Sequence, residues 1–167
     1  ESLELGDFGR SGNYVDRQLK RWGRQYREAD YERIHEMDLL IEWLEERIPE
    51  QTLTSIVHGD FRLDNMVFDG TRNQVLAILD WELSTLGDPL ADFAYHVMQW
   101  RIPLDQHRGL AGADLFSLGI PDEKTYLESY CKRTGRVEIK DWDFYIIFSL
   151  FKMSAICYGI LVRIHHG

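Results

Sequence analysis

The period of the apolar positions changes twice along the chain. Val15, Leu19, Trp22 and Tyr26 recur every three or four residues and predict an amphipathic helix over 14–28. Its other face carries Arg17, Lys20, Arg21, Arg24 and Arg27, open to solvent or to an anionic ligand. A second helix, capped by Asp30, follows with the stripe Ile34, Met37, Leu40, Ile41 and Leu44, and ends before Pro49. The texture then shifts. SIVH, NMVFD and QVLAILD are short β-branched or aliphatic runs between turn formers, a strand pattern. Helical spacing returns after Asp88-Pro89, where Leu90, Phe93, Ala94, Val97 and Met98 make one face and Pro89 suits the first turn. Residues 103–121, broken by Pro103, Pro121 and several glycines, read as loop with short helical pieces. A helix from about Glu123 stops at Gly135, and a long apolar helix begins near Asp141. The expected fold is α+β, mainly α: a helical body with one small β-hairpin insertion.

The hairpin can be drawn in more detail. Asp69-Gly70 begins its turn, so 65–68 pairs with 75–79. With Phe68 opposite Val75, Asn65 falls opposite Ile78 and Asp80 stands just past the open end. Neighbouring strands lie ~4.8 Å apart, which brings Asn65 and Asp80 close together.

Composition narrows the options. A chain of 167 residues suits one domain with its own core. A net charge of −9 argues against nucleic acid or an anionic membrane as the main partner. Acid is concentrated between His58 and Asp92, where Asp60, Asp64, Asp69, Asp80, Glu82, Asp88 and Asp92 face only Arg62 and Arg72. Such a segment suits a divalent cation or a cationic ligand, and equally a solvated acidic face. Cys131 and Cys157 lie in helical segments and indicate a reducing, cytoplasmic setting rather than a disulfide framework. The opening ESLELGDFGRSGNY has neither the basic start nor the apolar stretch of a signal peptide. The apolar run 142–162 carries Lys152 at its middle, which fits a buried helix better than a membrane span.

The stretch HGDFRLDN, residues 58–65, concentrates the candidate chemistry. Asn65 and Asp80 offer the oxygen ligands that Mg²⁺ accepts. Asp60 can curl over the same end of the hairpin and receive a proton from an attacking hydroxyl. The spacing His58-x-Asp60-x-x-x-x-Asn65 is that of a kinase catalytic loop, and Asp80 falls where a second metal-binding aspartate belongs.

IVHGDFRLDNMVFD and AILDWELSTLGDPLADFAY together resemble the aminoglycoside phosphotransferase and choline kinase group of small-molecule kinases. The opening GDFGRSGNYVDRQLKRWGRQY is similar to the branch related to kinase-like domains joined to acyl-CoA dehydrogenases. The resemblance spans nearly the whole chain and implies a protein-kinase-like C-terminal lobe as a single domain over 1–167. It implies an ATP- and Mg²⁺-dependent transfer of the γ-phosphate to a hydroxyl of a small molecule. Asp60 is then the catalytic base, and Asn65 and Asp80 hold the metal. Arg62 contacts the transferred phosphate or pairs with Asp64. His58 is structural, Glu82 is a supporting or substrate-side carboxylate, and Asp92 anchors the loop backbone.

Two departures matter. Asp7-Phe8-Gly9 spells the protein-kinase metal motif but precedes the catalytic loop, so it reads as linker. Nothing before His58 supplies a Gly-rich, lysine-bearing nucleotide lobe. The expected partner is therefore an N-terminal lobe of the same polypeptide, and these residues alone are expected to turn over poorly. The acceptor stays open between a cationic amino sugar and an anionic compound such as a coenzyme A ester. Two other readings compete: a non-catalytic kinase-like binding module, and a metal-dependent hydrolase using His58 and the aspartates.

Overall fold

The computed structural model describes residues 8–167, so the opening residues 1–7, including Asp7 of the DFG triplet and much of the stretch weighed as a signal peptide, lie outside it. Helix α1 (Tyr14–Arg27) buries Tyr14, Val15, Leu19 and Tyr26, the stripe predicted from the sequence except that Trp22 is only half-buried. Much of its basic face is already engaged. Arg17 donates to the carbonyls of Arg10 at 2.8 Å, of Gly12 and of Leu86, and Lys20 pairs with Asp16 at 2.9 Å. Helix α2 (His35–Glu45) buries Met37, Ile41 and Leu44.

Asp30 does not cap α2. The helix begins at His35 behind an extended Ile34, which makes no side-chain cap bond. The buried Tyr26 hydroxyl overrides the local signal: it accepts from the Ile34 N–H at 2.7 Å and donates to the Ile34 carbonyl at 2.9 Å. Both backbone groups are satisfied there, and the chain stays extended past Asp30.

Four short strands follow, β1 (Ser55–Val57), β2 (Met66–Phe68), β3 (Val75–Ile78) and β4 (Thr85–Gly87). They form two antiparallel pairs rather than one hairpin. β2 pairs with β3 as expected, while β1 pairs with β4, a partner whose Thr-Leu-Gly sequence gave no strand signal. Gly87 is required at that join, because a Cβ there would lie 2.6 Å from the Tyr14 ring of α1.

Helix α3 (Pro89–Val97) is capped by Asp88, whose carboxylate accepts from Leu90 N at 3.0 Å and from the Tyr145 hydroxyl at 2.7 Å. The 102–121 segment is turns, tied by a bridge between Pro103 and Ala111. Helix α4 (Glu123–Thr134) is capped by Asp122 and ends on Gly135 in the left-handed region. Helix α5 (Trp142–His166) runs along α1, α2 and α3. It is long and apolar enough to cross a membrane by length and composition. In the fold Phe144, Ile146, Phe148, Phe151, Ala155 and Tyr158 are buried among the other helices, so its apolarity is that of a core element. The hairpin differs: Phe68, Val75, Leu76, Leu79, Trp81 and Leu83 leave an exposed apolar surface.

Tyr26→Phe removes the group that serves both Ile34 backbone atoms. The expected loss is about 1–2 kcal/mol in urea unfolding at unchanged slope, against under about 0.5 kcal/mol for Phe116→Ser at an exposed position.

Candidate functional site

The 58–65 loop is fixed from beneath by one carboxylate. Asp92, on the first turn of α3, accepts the His58 N–H with Oδ2 and the Gly59 N–H with Oδ1, the latter at 2.9 Å. Gly59 has φ +86°, and a Cβ would sit 2.7 Å from the Leu83 carbonyl, so only glycine fits the bend. Burial raises the Asp92 carboxyl above its usual range, while the two N–H donors, Lys152 and His58 pull it back down.

His58 is buried and uses both ring nitrogens. Nδ1 accepts from the Asp60 N–H at 3.2 Å, which leaves the proton on Nε2 to donate to the Leu79 carbonyl at 2.7 Å. A histidine so committed offers no lone pair to a metal. That commitment disfavours a hydrolase that takes its metal on His58.

Leu79 joins the loop to the hairpin. Its carbonyl accepts from His58, and its N–H donates to the Asn65 carbonyl at 2.8 Å. Asn65 therefore stands opposite Leu79, not Ile78. The observed register is Met66↔Ile78, Val67↔Ala77 and Phe68↔Val75, with Leu76 left over as a bulge. The turn pairing was as expected; the bulge shifts everything beyond it by one residue and makes Asp80 the next neighbour of Asn65's partner. Asp80 adopts φ 65°, ψ 55°, a left-handed conformation costing a non-glycine residue ~1 kcal/mol, as the chain turns out of β3 into the 3₁₀ turn Trp81–Leu83.

Asn65 and Asp60 meet directly. The buried Asn65 amide donates to the Asp60 carbonyl at 2.9 Å and to its carboxylate at 3.1 Å. This spends the amide nitrogen, so the Asn65 Oδ1 is the atom left to face a ligand. The Asp80 carboxylate is exposed and makes no hydrogen bond or ion pair among the described residues. Asn65 Oδ1 and Asp80 are thus two hard oxygen donors on adjoining strand ends, a set that fits Mg²⁺.

Arg62 lies against Asp60 with Nε 3.1 Å from the carboxylate, and 3.9 Å from Asp64. The nearer contact is an ion pair without hydrogen-bond alignment, so the buried Nε–H has no acceptor. Asp64 in turn pairs with Arg108. Glu82 is exposed on the 3₁₀ turn and makes no ion pair among the described residues.

Two neighbours of Asp60 were not assigned to the site from the sequence. The Tyr95 phenol, on α3, lies against the Asp60 carboxylate, and burial together with that charge pushes it up to about 12. The buried Lys152 ammonium donates to the Gly59 carbonyl and sits 4.4 Å from the centre of the Tyr95 ring. Nothing in FAYH marks Tyr95; a lone lysine in an apolar helix is a signal for a buried partner.

A cavity of about 250 Å³ opens beside Arg62 and Tyr95. Its walls are Met98, Trp100, Leu110 and Tyr126, with His96, Asp64 and Arg108 at the lining. Burial lowers the proton affinity of His96, whose Nε2 lies 3.1 Å from the Tyr126 hydroxyl.

Comparison with known proteins bears on the family and the fold. The family model described as "Phosphotransferase enzyme family" matches residues 1–132. The chain belongs to the phosphotransferase enzyme family. A solved structure from Ralstonia eutropha, provisionally assigned as an aminoglycoside phosphotransferase, is 52% identical with a TM-score of 0.93, over 98% of this chain and 50% of that one. A type VIII aminoglycoside-3'-phosphotransferase shares the fold at 18% identity and a TM-score of 0.60, over 90% and 54% of the two chains. Among curated relatives, mouse acyl-CoA dehydrogenase family member 10 is 44% identical over 98% of this chain and 15% of its own length. Human acyl-CoA dehydrogenase family member 11 is 36% identical over 98% and 21%. This phosphotransferase-family chain thus spans about a fifth or less of those relatives and half of the solved one. Its fold is the mainly helical, kinase-like α+β expected from the sequence.

Asp92→Asn keeps one acceptor and loses the charge, with an expected cost of about 1–3 kcal/mol. The sign of its pH dependence follows from the raised carboxyl. Between the ordinary aspartate value and the raised one the folded state binds more protons than the unfolded state, so this group's contribution falls as pH rises through that window. The urea midpoint of the parent protein relative to that of Asp92→Asn should therefore fall as pH rises across that window.

Proposed function

We propose that the chain is the metal- and acceptor-holding lobe of an ATP- and Mg²⁺-dependent phosphotransferase that moves the γ-phosphoryl group to a hydroxyl of a small molecule. The observation that carries this reading is the Asn65–Asp60 bond, which engages the Asn65 amide nitrogen with the carboxylate and leaves the Asn65 oxygen as the donor atom for a ligand. Asp60 would accept the hydroxyl proton as the acceptor oxygen attacks phosphorus and ADP departs. Arg62, whose buried Nε–H lacks an acceptor, would meet the oxygens of the transferred group. Asn65 and Asp80 would hold Mg²⁺, which neutralises phosphate charge when bound. His58 and Asp92 keep the loop in shape, and Glu82, on the turn after β3, would be a supporting or substrate-side carboxylate.

The acceptor would enter the cavity beside Tyr95. Its aromatic and aliphatic walls, and the engagement of Asp64 by Arg108, suit a hydroxyl compound with an apolar body and favour it over a polycationic amino sugar. The exposed apolar hairpin surface would receive the nucleotide-binding lobe of the same polypeptide, and the twofold length of the solved relative supports such a lobe.

In the full-length polypeptide, Asp60→Asn should cut phosphoryl transfer by at least about 10²-fold while ATP affinity holds. Asp80→Asn should weaken Mg²⁺-dependent ATP binding itself. The readouts are single-turnover transfer from radiolabelled ATP and equilibrium nucleotide titration with and without Mg²⁺. ATP binding without detectable transfer in either the parent or Asp60→Asn would instead identify a binding module.

A further inference from the structure

Among the described residues, the Lys152 ammonium is a buried charge that the proposed chemistry leaves without a task. It reaches from the middle of α5 to the underside of the 58–65 loop, where it donates to the Gly59 carbonyl. That carbonyl belongs to the peptide bond leading into Asp60. Its second contact is the face of the Tyr95 ring, 4.4 Å from the centroid, and the Tyr95 phenol lies against the Asp60 carboxylate. The lysine therefore meets Asp60 from two directions: through the backbone before it and through the aromatic ring beside it.

A buried ammonium is expensive, and a methionine of similar length would fill the same space without that cost. A purely structural explanation also has to account for its choice of partner. The Gly59 N–H is already held by Asp92, so the loop is anchored without Lys152. What the lysine adds is a fix on the other face of the same residue, which removes the remaining freedom of the 59–60 peptide plane, and a positive charge near Asp60.

We propose that Lys152 is a positioning residue for phosphoryl transfer, holding Asp60 in its reactive orientation through the Gly59 carbonyl and the Tyr95 ring. This rests on the phosphotransferase reading above. The charged groups that bear on Lys152 are Asp60 on the loop, Asp92 on α3 and Arg21 on α1, with Tyr95 beneath it. Burial and Arg21 weaken its hold on the proton; Asp92 and Asp60 strengthen it, with burial prevailing. The ammonium is accordingly lost at lower pH than that of an ordinary lysine, and the orientation of Asp60 is lost with it as pH rises.

The test uses the full-length polypeptide with Mg·ATP and water as the acceptor, so no acceptor need be known. Lys152→Met should lower kcat for ATP hydrolysis by about 10- to 100-fold and leave KM for ATP within about twofold. Lys152→Arg should recover most of that loss and carry the alkaline limb of the kcat profile to higher pH, because guanidinium keeps its charge. A Lys152→Met protein with parental kcat overturns the proposal, as does a fall confined to KM. Should Lys152→Met fail to fold, the Lys152→Arg profile decides: an alkaline limb that does not move overturns the proposal. Asp60→Asn, assayed in parallel, separates the two levels. Loss of hydrolysis there with parental kcat in Lys152→Met sinks only the role of Lys152, whereas retained hydrolysis in Asp60→Asn sinks the phosphotransferase reading and this proposal with it.

Discussion

One carboxylate with two N–H donors organises this molecule. Asp92 takes the amides of His58 and Gly59, and through them a helix fixes the conformation of a loop that has no regular structure of its own. Hydrogen bonds to a charged group contribute about 1.5–3 kcal/mol each. Everything chemical then follows by short steps. His58 reaches Leu79, Leu79 reaches Asn65, and Asn65 reaches Asp60. The Asp60 N–H then donates back to His58 Nδ1 and closes the ring of bonds.

The helical body serves that ring. α3 contributes Asp92 and Tyr95 from the same face, and α5 crosses behind it with Lys152 and with Tyr145, whose hydroxyl holds the Asp88 cap of α3. The position of the loop therefore depends on how α3 sits on α5. The aromatic packing of Phe93 on Tyr130, with ring centroids 3.8 Å apart, fixes α4 against the same helix. The cavity wall is thereby joined to the loop through one rigid element.

Much of this was legible in the sequence because it rests on local pattern. The stripe Val15, Leu19, Tyr26 needs only helical spacing, and the Pro89 start and Gly135 stop need only backbone chemistry. Asp60, Asn65 and Asp80 were legible through spacing around one hairpin. What escaped depends on distant partners. The Tyr26 hydroxyl silences Asp30 as a cap, and β4 is a strand only because β1 lies beside it. Leu76 carries no mark that it will be left out of the ladder. Lys152 was noticed as a misfit in an apolar helix, but its target could not be known before α5 and the loop were brought together.

The bulge at Leu76 has a bearing on how such chains can diverge. Side chains alternate across a strand, so one residue gained or lost between the bulge and Asp80 would turn that aspartate to the opposite side of the ribbon. The tip near Thr71 and Arg72, held by the Asp69 side chain and by the Gln74 N–H on the Arg72 carbonyl, carries no such constraint. Length variation among relatives should therefore collect at the tip and be purged from the last residues of β3, a scar of indels that would mark the register as the inherited quantity.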